Sequence, residues 1–360
     1  MAEGIELQEA LSRTDLVLID VRSPEEYTRE SIPGAINIPL FSDDQRHRLG
    51  SIYKVEGEPA ARRAGFNYLC PRLPEIVDHI CKTAGTRIPL LYCWRGGLRS
   101  LSLLRILNIL KIPALRLKGG YRAYRRYVHR ELGSYQFKPE AVILNGLTGA
   151  GKTAIIKQLI VRGYPAIDLE GLARHRGSVF GNIGLDDEER SQKDFESLLL
   201  LELNKFQGAP YIVLEGEGSR IGPLHLPQFL IQAIRDGVHV QVIAPLELRV
   251  QRIYREYLSP GLTADNRDRI LEGLLALEHR LGKVKTGHLL TLLKEGKYLP
   301  VVKEICADYY DRLYKDAKPR GREFAAVLEA NQVDEATEQL IGFLNRRYHK
   351  LALTQKEDVL

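Results

Sequence analysis

The segment AVILNGLTGAGKT, residues 141–153, decides the fold of the middle of this 360-residue chain. Its apolar first half is typical of a buried strand, and its second half, GLTGAGKT, matches the phosphate-loop pattern G-x-x-x-x-G-K-[S/T]. Glycines let the backbone wrap so that N–H groups point at phosphate oxygens, and the helix that follows adds its positive N-terminus. We therefore expect a P-loop NTPase-like α/β domain here. The pattern leaves open whether the phosphate belongs to a nucleotide.

The side chains of this loop are the first candidate phosphate ligands. Lys152 is expected to neutralise a terminal phosphate, and Thr153 is placed to hold a metal ion such as Mg²⁺. The loop residues expected to contact phosphate are Gly146, Thr148, Gly149, Gly151, Lys152 and Thr153.

Charged residues downstream of the loop are further candidates. Glu215 ends the apolar run YIVLE, roughly where a P-loop protein places the acid that holds Mg²⁺ through water, and Glu217 follows it. Asp168 ends another predicted strand, where many metabolite kinases place a catalytic base. The segment DLEGLARHRGSVFG also carries three basic residues, which suit either phosphate and RNA or the negative end of a helix dipole: Arg174, His175 and Arg176.

The hydrophobic pattern indicates three regions along the chain. Strands and helices alternate before the phosphate loop, which predicts a parallel sheet in an N-terminal α/β domain, residues 1–133. The P-loop α/β domain is expected over residues 138–248, with further strands at YPAIDLEGL, YIVLEGEG and HVQVIAP. Apolar residues at helical spacing then predict a helical C-terminal region, residues 249–360.

Composition and charge narrow the class of function. The chain has no run of about 18 apolar residues and no basic, apolar start of a signal peptide, so we expect a cytoplasmic protein without a membrane segment. Its four cysteines form no CxxC pair and are expected to be reduced thiols. The net charge is +6, yet residues 81–130 contain 12 lysines and arginines and no acidic residue. Such a run is typical of a solvated basic face or of a surface that binds a polyanion.

This basic region contains a second loop, YCWRGGLRS, residues 92–100. It follows the apolar run IPLLY, and Cys93 and Arg99 have the spacing C-x₅-R. A strand, loop and helix of this length point backbone N–H groups at the thiol, which stabilises a thiolate and forms an anion site beside it. Cys93 is therefore predicted to be a nucleophile. The residues expected to bind the neighbouring anion are Arg95, Gly96, Gly97, Arg99 and Ser100.

Several motifs together resemble a known family. LIDVRSPEEYTRESIPGAINIP, YCWRGGLRS and LKGGYRAYRRY resemble the rhodanese domain, whose loop cysteine carries sulfur, and the C-x₅-R spacing is shared with related phosphatases. With GLTGAGKT and DLEGLARHRGSVFG following in this order, nearly the whole chain resembles the tRNA 2-selenouridine synthase family. One departure is EGEGSR, where Gly218 stands in place of the serine in the family pattern Glu-x-Glu-Ser-Arg.

The resemblance implies that wobble 2-thiouridine in tRNA is converted to 2-selenouridine through an S-geranylated intermediate. Selenophosphate would bind in the Cys93 loop, and geranyl diphosphate in the loop from Gly146 to Thr153, with Arg174 and Arg176 as clamps. Cys93 would either carry selenium as a selenopersulfide or attack the activated C2 position. No tightly bound cofactor is implied. The segment rich in arginine and tyrosine would contact tRNA through Lys118, Arg122, Arg125, Arg126 and Arg130.

Two other functions fit parts of the sequence. A small-molecule kinase would use the phosphate loop and Asp168, with the N-terminal domain as a regulatory module. A plain sulfurtransferase or phosphatase would use the Cys93 loop alone. Neither explains the acid-free run 81–130, so we expect a tRNA-modifying transferase, with the monomer as the favoured oligomeric state.

Overall fold

A computed structural model describes residues 4–177, 180, 181, 183, 190–216, 218–258, 264–313 and 323–357. The chain divides into two compact units. The N-terminal unit comprises Met1–Ser134 and Ser191–Leu200, and the C-terminal unit comprises Tyr135–Arg190 and Leu201–Leu360. Within the described ranges, no helix is both long enough and apolar enough to span a bilayer.

The N-terminal unit is built on a sheet of four parallel strands in the order β2-β1-β3-β4. The strands are β1 (Leu16–Asp20), β2 (Ile36–Asn37), β3 (Ile88–Tyr92) and β4 (Leu115–Arg116). The helices are α1 (Leu7–Leu11), α2 (Pro24–Arg29), α3 (Asp43–Val55), α4 (Glu58–Leu69), α5 (Leu73–Ala84), α6 (Leu98–Ile109) and α7 (Gly120–Gly133). Because the strands are parallel, their carboxyl ends share one edge of the sheet, and Cys93 directly follows β3 at that edge.

Local sequence signals set the helix boundaries of this unit. Ser23 and Glu26 form a capping box at the start of α2, with Pro24 at its first position. Gly85 ends α5 with a φ of 57°, which a residue without a Cβ adopts at little cost. The apolar faces of α5 and α6 pack on the sheet, where Ile80 and Leu103 are fully buried.

The C-terminal unit contains a second parallel sheet in the order β10-β9-β5-β6. Its strands are β5 (Glu140–Asn145), β6 (Tyr211–Glu215), β9 (Val238–Ile243) and β10 (Ala326–Glu329), and β7 (Arg220–Ile221) and β8 (Leu224–His225) form an antiparallel pair. The helices from the phosphate loop onward are α8 (Lys152–Val161), α9 (Leu169–Ala173), α10 (Gln192–Lys205), α11 (Gln228–Asp236), α12 (Leu246–Leu258), α13 (Ala264–Ala276), α14 (Glu278–Leu281), α15 (Lys283–Lys294), α16 (Tyr298–Ile305) and α17 (Val333–Glu357). A π-helical turn, Cys306–Tyr310, continues α16.

The sequence predicted a helical region over residues 249–360, but this region also contributes a strand. Ala326–Glu329 forms β10, which pairs with β9 at the edge of the sheet, and α17 packs against α8. A strand of four residues is too short to give a periodic hydrophobic signal, and its partner lies far away in the sequence. This part of the chain therefore completes the P-loop sheet.

The segment YPAIDLEGL does not form the predicted strand. It makes a single parallel bridge, between Ala166 and Val213. The chain then turns at Asp168, whose carboxylate accepts the backbone N–H of Gly171 at 2.7 Å and begins α9. Helix capping at the aspartate thus ends the extended segment.

The first part of α10 also differs from the predicted division of the chain. Residues 191–200 were expected in the P-loop domain, but they belong to the N-terminal unit. Phe195 is fully buried there, and Glu196 forms an ion pair with Arg125 of α7. These are contacts between segments far apart in sequence, so the local pattern gave no sign of them.

Candidate functional site

The phosphate loop lies between the carboxyl end of β5 and the N-terminus of α8. Gly149 and Gly151 have φ values of 77° and 103°, a region that residues with a Cβ rarely enter. The ammonium group of Lys152 donates a hydrogen bond to the carbonyl of Gly146 at 3.0 Å, so the lysine folds back over the loop. The backbone therefore has the conformation that suits a phosphate at a helix N-terminus.

A chain of hydrogen bonds leads from the hydroxyl group of Thr153 to two glutamates. Its Oγ1 donates to Oε2 of Glu170 at 3.0 Å, and the backbone N–H of Glu170 donates to Oε2 of Glu215 at 3.1 Å. Glu215 is fully buried. Among the described residues, no group of three histidine, cysteine or acidic side chains could hold a metal by itself. The oxygen atoms of Thr153 and Glu170 nevertheless suit Mg²⁺, which commonly completes its coordination with phosphate and water.

Glu170 is a residue that sequence reasoning missed. Its carboxylate accepts the hydrogen bond of Thr153, whereas the sequence had suggested only Glu215 and Glu217 as acids of a metal site. The one available signal was its place in the segment DLEGLARHRGSVFG. Asp168 caps α9 and lies 3.8 Å from Nζ of Lys157, which is the position of a structural carboxylate. Glu217 lies outside the described residues.

Two arginines of α12 hold the backbone of the phosphate loop. Arg249 donates to the carbonyl of Thr148 at 3.2 Å and forms two hydrogen bonds with Asp311, at 2.8 and 2.7 Å. Arg252 donates to the carbonyl of Ala150 at 2.9 Å. Burial lowers the pKa of Arg252. These contacts fix the loop from the helical part of the chain, and no motif in α12 predicted them.

A cavity of about 890 Å³ lies over the phosphate loop. Lys152, Thr153 and Glu170 line one side of it, and residues of α12 and of the start of α17 line the others. This volume is in the range of sites for small molecules and exceeds what one phosphate needs. The cavity therefore has room for an organic group attached to the phosphate.

The three basic residues after α9 have different surroundings. Arg174 ends the helix in a left-handed conformation, with φ of 50°, and its side chain is exposed. The ring of His175 packs under Gly222, where a Cβ would approach it to 2.6 Å. Arg176 lines the cavity, lies 4.4 Å from the ring centroid of Tyr257 and donates to the carbonyl of Ile183 at 2.7 Å. The structure thus brings Arg176, but not His175, to the phosphate cavity.

In the N-terminal unit, Cys93 begins the loop between β3 and α6. Its side chain is buried, and Sγ lies 3.3 Å from Oγ of Ser100 in the first turn of α6. Gly96 has a φ of 62°, and a Cβ there would approach the carbonyl of Leu117 to 2.7 Å. The backbone N–H of Tyr121, at the start of α7, donates to the carbonyl of Cys93 at 2.9 Å. Gly96 is therefore required because the turn before α7 packs directly against the cysteine loop, whereas a Cβ at Gly97 would meet no other atom.

The arginines of this loop are not equivalent. Arg95 is exposed, and Gly97 beside it is exposed as well. Arg99 instead binds Glu26 of α2 through two hydrogen bonds, at 2.5 and 3.1 Å. Burial raises the pKa of the Glu26 carboxyl, but the Arg99 guanidinium outweighs this effect and holds that pKa below its ordinary value. Arg99, which was expected to bind an anion, is thus paired with a carboxylate of the chain itself, and the sequence did not reveal this pair.

The predicted RNA-binding residues fall into two groups. Arg125 is paired with Glu196, Lys118 with Glu6 and Arg130 with Glu131. Arg122 and Arg126 are exposed on α7, and no ion pair of theirs is found within the part of the chain that the structure describes. A free positive charge on one face of α7 is therefore concentrated at these two arginines.

Comparison with known proteins finds a matching protein family for each of the two units. A family model described as "tRNA 2-selenouridine synthase AAA domain" matches residues 139–341, and a "Rhodanese-like domain" model matches residues 5–127. The chain belongs to the tRNA 2-selenouridine synthase family. The tRNA 2-selenouridine synthase of Salmonella paratyphi A is 34% identical over 336 residues, which cover 85% of this chain and 90% of that protein. The proteins of the same name from Nitrosomonas europaea and Cupriavidus pinatubonensis are 34% and 32% identical, over 71% and 82% of this chain and 67% and 87% of their own lengths.

These matches confirm the resemblance and the fold class inferred from the sequence. A rhodanese-like domain with a parallel sheet precedes a P-loop-type α/β domain, and helices predominate toward the C-terminus. Each of the two predicted loops lies within one unit, at the carboxyl end of a parallel strand.

Proposed function

We propose that this member of the tRNA 2-selenouridine synthase family is a tRNA-modifying transferase. It converts wobble 2-thiouridine to 2-selenouridine through an S-geranylated intermediate, with geranyl diphosphate and selenophosphate as co-substrates. The observation that carries the proposal is that a single chain holds a phosphate loop under a cavity of about 890 Å³ and a buried cysteine in a glycine loop. Two transfers with different anionic donors need two such sites.

The first transfer suits the phosphate loop. The sulfur of 2-thiouridine attacks C1 of geranyl diphosphate, the carbon–sulfur bond forms, and the carbon–oxygen bond breaks to release diphosphate. The negative charge that develops on the leaving group is stabilised by the loop N–H groups, by Lys152 and by Arg176 at the cavity wall. Thr153 and Glu170 would hold Mg²⁺ against the diphosphate. Such an ion would add further neutralisation of that charge.

The second transfer suits Cys93. Its thiolate attacks C2 of the geranylated base, and the geranylthiolate leaves and takes up a proton. Selenium of selenophosphate then bonds to C2 and displaces Cys93, after which water removes the phosphoryl group as phosphate. The atoms and electrons of these steps balance without an oxidant. A selenopersulfide on Cys93 formed with release of phosphate would need one, which neither co-substrate supplies.

Incubation of the protein with tRNA that carries 2-thiouridine, geranyl diphosphate and selenophosphate tests the proposal. Digestion to nucleosides and mass spectrometry should show S-geranyl-2-thiouridine before 2-selenouridine, and the latter only when both donors are present. Selenation without geranyl diphosphate, or no change in the tRNA, would contradict it. ATP turnover at the same rate with and without tRNA would favour the small-molecule kinase instead.

A further inference from the structure

A second cavity lies beside the phosphate cavity in the C-terminal unit. It has a volume of about 60 Å³, and no charged side chain is found among its lining residues in the described part of the chain. Most of the lining comes from buried apolar side chains of α12, α13, α15 and α16, among them Ile270, Leu293, Val301 and Ile305. An apolar cavity of this kind excludes water and favours a hydrocarbon group.

The two cavities share part of their walls. Both are lined by Thr148, Ile253, Tyr257 and Tyr310. Thr148 belongs to the phosphate loop, and the neighbouring Gly149 is so close to Ile253 that a Cβ would approach its side chain to 2.9 Å. The apolar cavity therefore begins directly at the loop that would hold a phosphate.

We infer that the 60 Å³ cavity receives the far end of the hydrocarbon chain of a prenyl diphosphate whose diphosphate lies on the phosphate loop. This inference rests on the proposed function and specifies how the same site selects its substrate. The large cavity then holds the diphosphate and the first isoprene unit, and the terminal methyl groups of the second unit enter the apolar cavity beside Val301 and Ile305. The site would select by chain length, because only the second isoprene unit reaches the apolar wall.

The chemistry of the wall agrees with this assignment. Cys306 lines the cavity and is 1% exposed, and burial raises the pKa of its thiol to about 11. The thiol therefore stays neutral at pH 7 and acts as a small apolar group. A nucleotide base would require hydrogen-bonding partners that such a lining provides poorly, whereas an isoprenoid requires only apolar contact.

Calorimetric titration of the full chain with geranyl diphosphate, dimethylallyl diphosphate and inorganic diphosphate tests the inference. The five additional carbons of the geranyl chain should tighten binding on the order of 100-fold over dimethylallyl diphosphate, and the heat capacity of binding should become more negative. The variant Val301→Phe fills the cavity, so it should remove most of this preference and keep the affinity for inorganic diphosphate. Val284→Phe is the matched control, since Val284 is 91% exposed.

The outcomes separate the two proposals. If the wild-type chain binds inorganic diphosphate but does not prefer geranyl to dimethylallyl diphosphate, the tail site is wrong and the phosphate loop assignment stands. If it binds none of the three, the proposed function fails, and the inference fails with it. A folded Val301→Phe variant with the full preference would also overturn the tail site. If that variant also loses its affinity for inorganic diphosphate, the test of the tail site is the preference of the wild-type protein for geranyl over dimethylallyl diphosphate.

Discussion

The buried thiol of Cys93 and the hydroxyl of Ser100 in the first turn of α6 are 3.3 Å apart, and the loop that begins at Cys93 packs against the start of α7. The loop thus holds the side chain of Cys93 in one position, and Arg95 of the same motif is exposed. The other arginine, Arg99, fixes α6 to α2 through Glu26. At the scale of single residues, one arginine is available to an anion and the other stabilises the loop.

Replacement of Cys93 by alanine should abolish selenation and leave geranylation intact, because Cys93 acts only in the second transfer of the proposed mechanism. The nucleosides from the reaction should then contain S-geranyl-2-thiouridine and no 2-selenouridine, as measured by mass spectrometry. Cys81→Ala is the control, since Cys81 is an exposed cysteine of α5. Full selenation by the Cys93 variant would remove this residue from the mechanism.

Glu26 should make the stability of the N-terminal unit depend on pH. Its pKa in the folded protein is held below the ordinary value of 4.5 by Arg99, against the opposing effect of burial. The ion pair therefore stabilises the fold above pH 4.5, by about 1–2 kcal/mol, and this contribution is lost as the pH falls through the lowered pKa.

Urea unfolding of the wild-type chain and of Glu26→Gln between about pH 3.5 and 7 measures this effect. The variant should be less stable at neutral pH and should lose less stability on acidification. Glu25→Gln is the matched control, because the side chain of Glu25 is 63% exposed. Equal pH dependence in the wild type and in Glu26→Gln would show that the pair contributes nothing to stability.

At the scale of elements, local sequence patterns predicted the features formed by one continuous segment. They did not predict the contacts between segments that are distant in the sequence. The strand and turn at Gly146 and the glycine loop after β3 could be found because each is encoded within about ten residues. Three other features depend on residues that are distant in the sequence: the ion pair between Glu26 and Arg99, the hydrogen bond from Arg249 to Thr148, and the pairing of strand β10. Sequence reasoning therefore found the loops but not the side chains that fix them.

Helix α7 should contribute to tRNA binding mainly through Arg122 and Arg126. Both are exposed, whereas Arg125 is paired with Glu196. Removal of one arginine that neutralises a phosphate should reduce the slope of log K against log salt by roughly 0.7–0.9. The double variant Arg122→Ala/Arg126→Ala should therefore bind tRNA about 10-fold more weakly at moderate salt, with a slope lower by about 1–2.

Filter binding or fluorescence anisotropy over a range of salt concentrations measures this change. Arg62→Ala is the control, since Arg62 is an exposed arginine of the same unit that is already paired with Glu58. If the control and the double variant are weakened equally, α7 has no special part in tRNA binding. An unchanged salt slope in the double variant would lead to the same conclusion.

At the scale of the whole molecule, the N-terminal unit is completed by a segment that follows the phosphate loop in the sequence. Lys193 pairs with Glu30 at 2.8 Å, Asp194 accepts the backbone N–H of Ser31 at 3.2 Å, and Phe195 is fully buried. Burial raises the pKa of Tyr124 to about 12, and a hydrogen bond with Ser197 partly opposes this shift. Residues up to 134 therefore do not contain the whole N-terminal unit, because residues 191–200 also belong to it.

A fragment of residues 1–134 should therefore be stabilised by a peptide of residues 190–205 added in trans. Without the peptide, Glu30 and Arg125 are left without their partners, and the site of Phe195 is open to water. A ligand that binds only the folded state raises its melting temperature, so a peptide at about 100 times its dissociation constant adds about 2.7 kcal/mol. Thermal unfolding followed by circular dichroism should show a rise of several degrees, and a peptide with Phe195→Ala and Glu196→Ala should have little effect. If both peptides leave the melting temperature unchanged, residues 191–200 do not stabilise the N-terminal unit, and its fold is complete at residue 134.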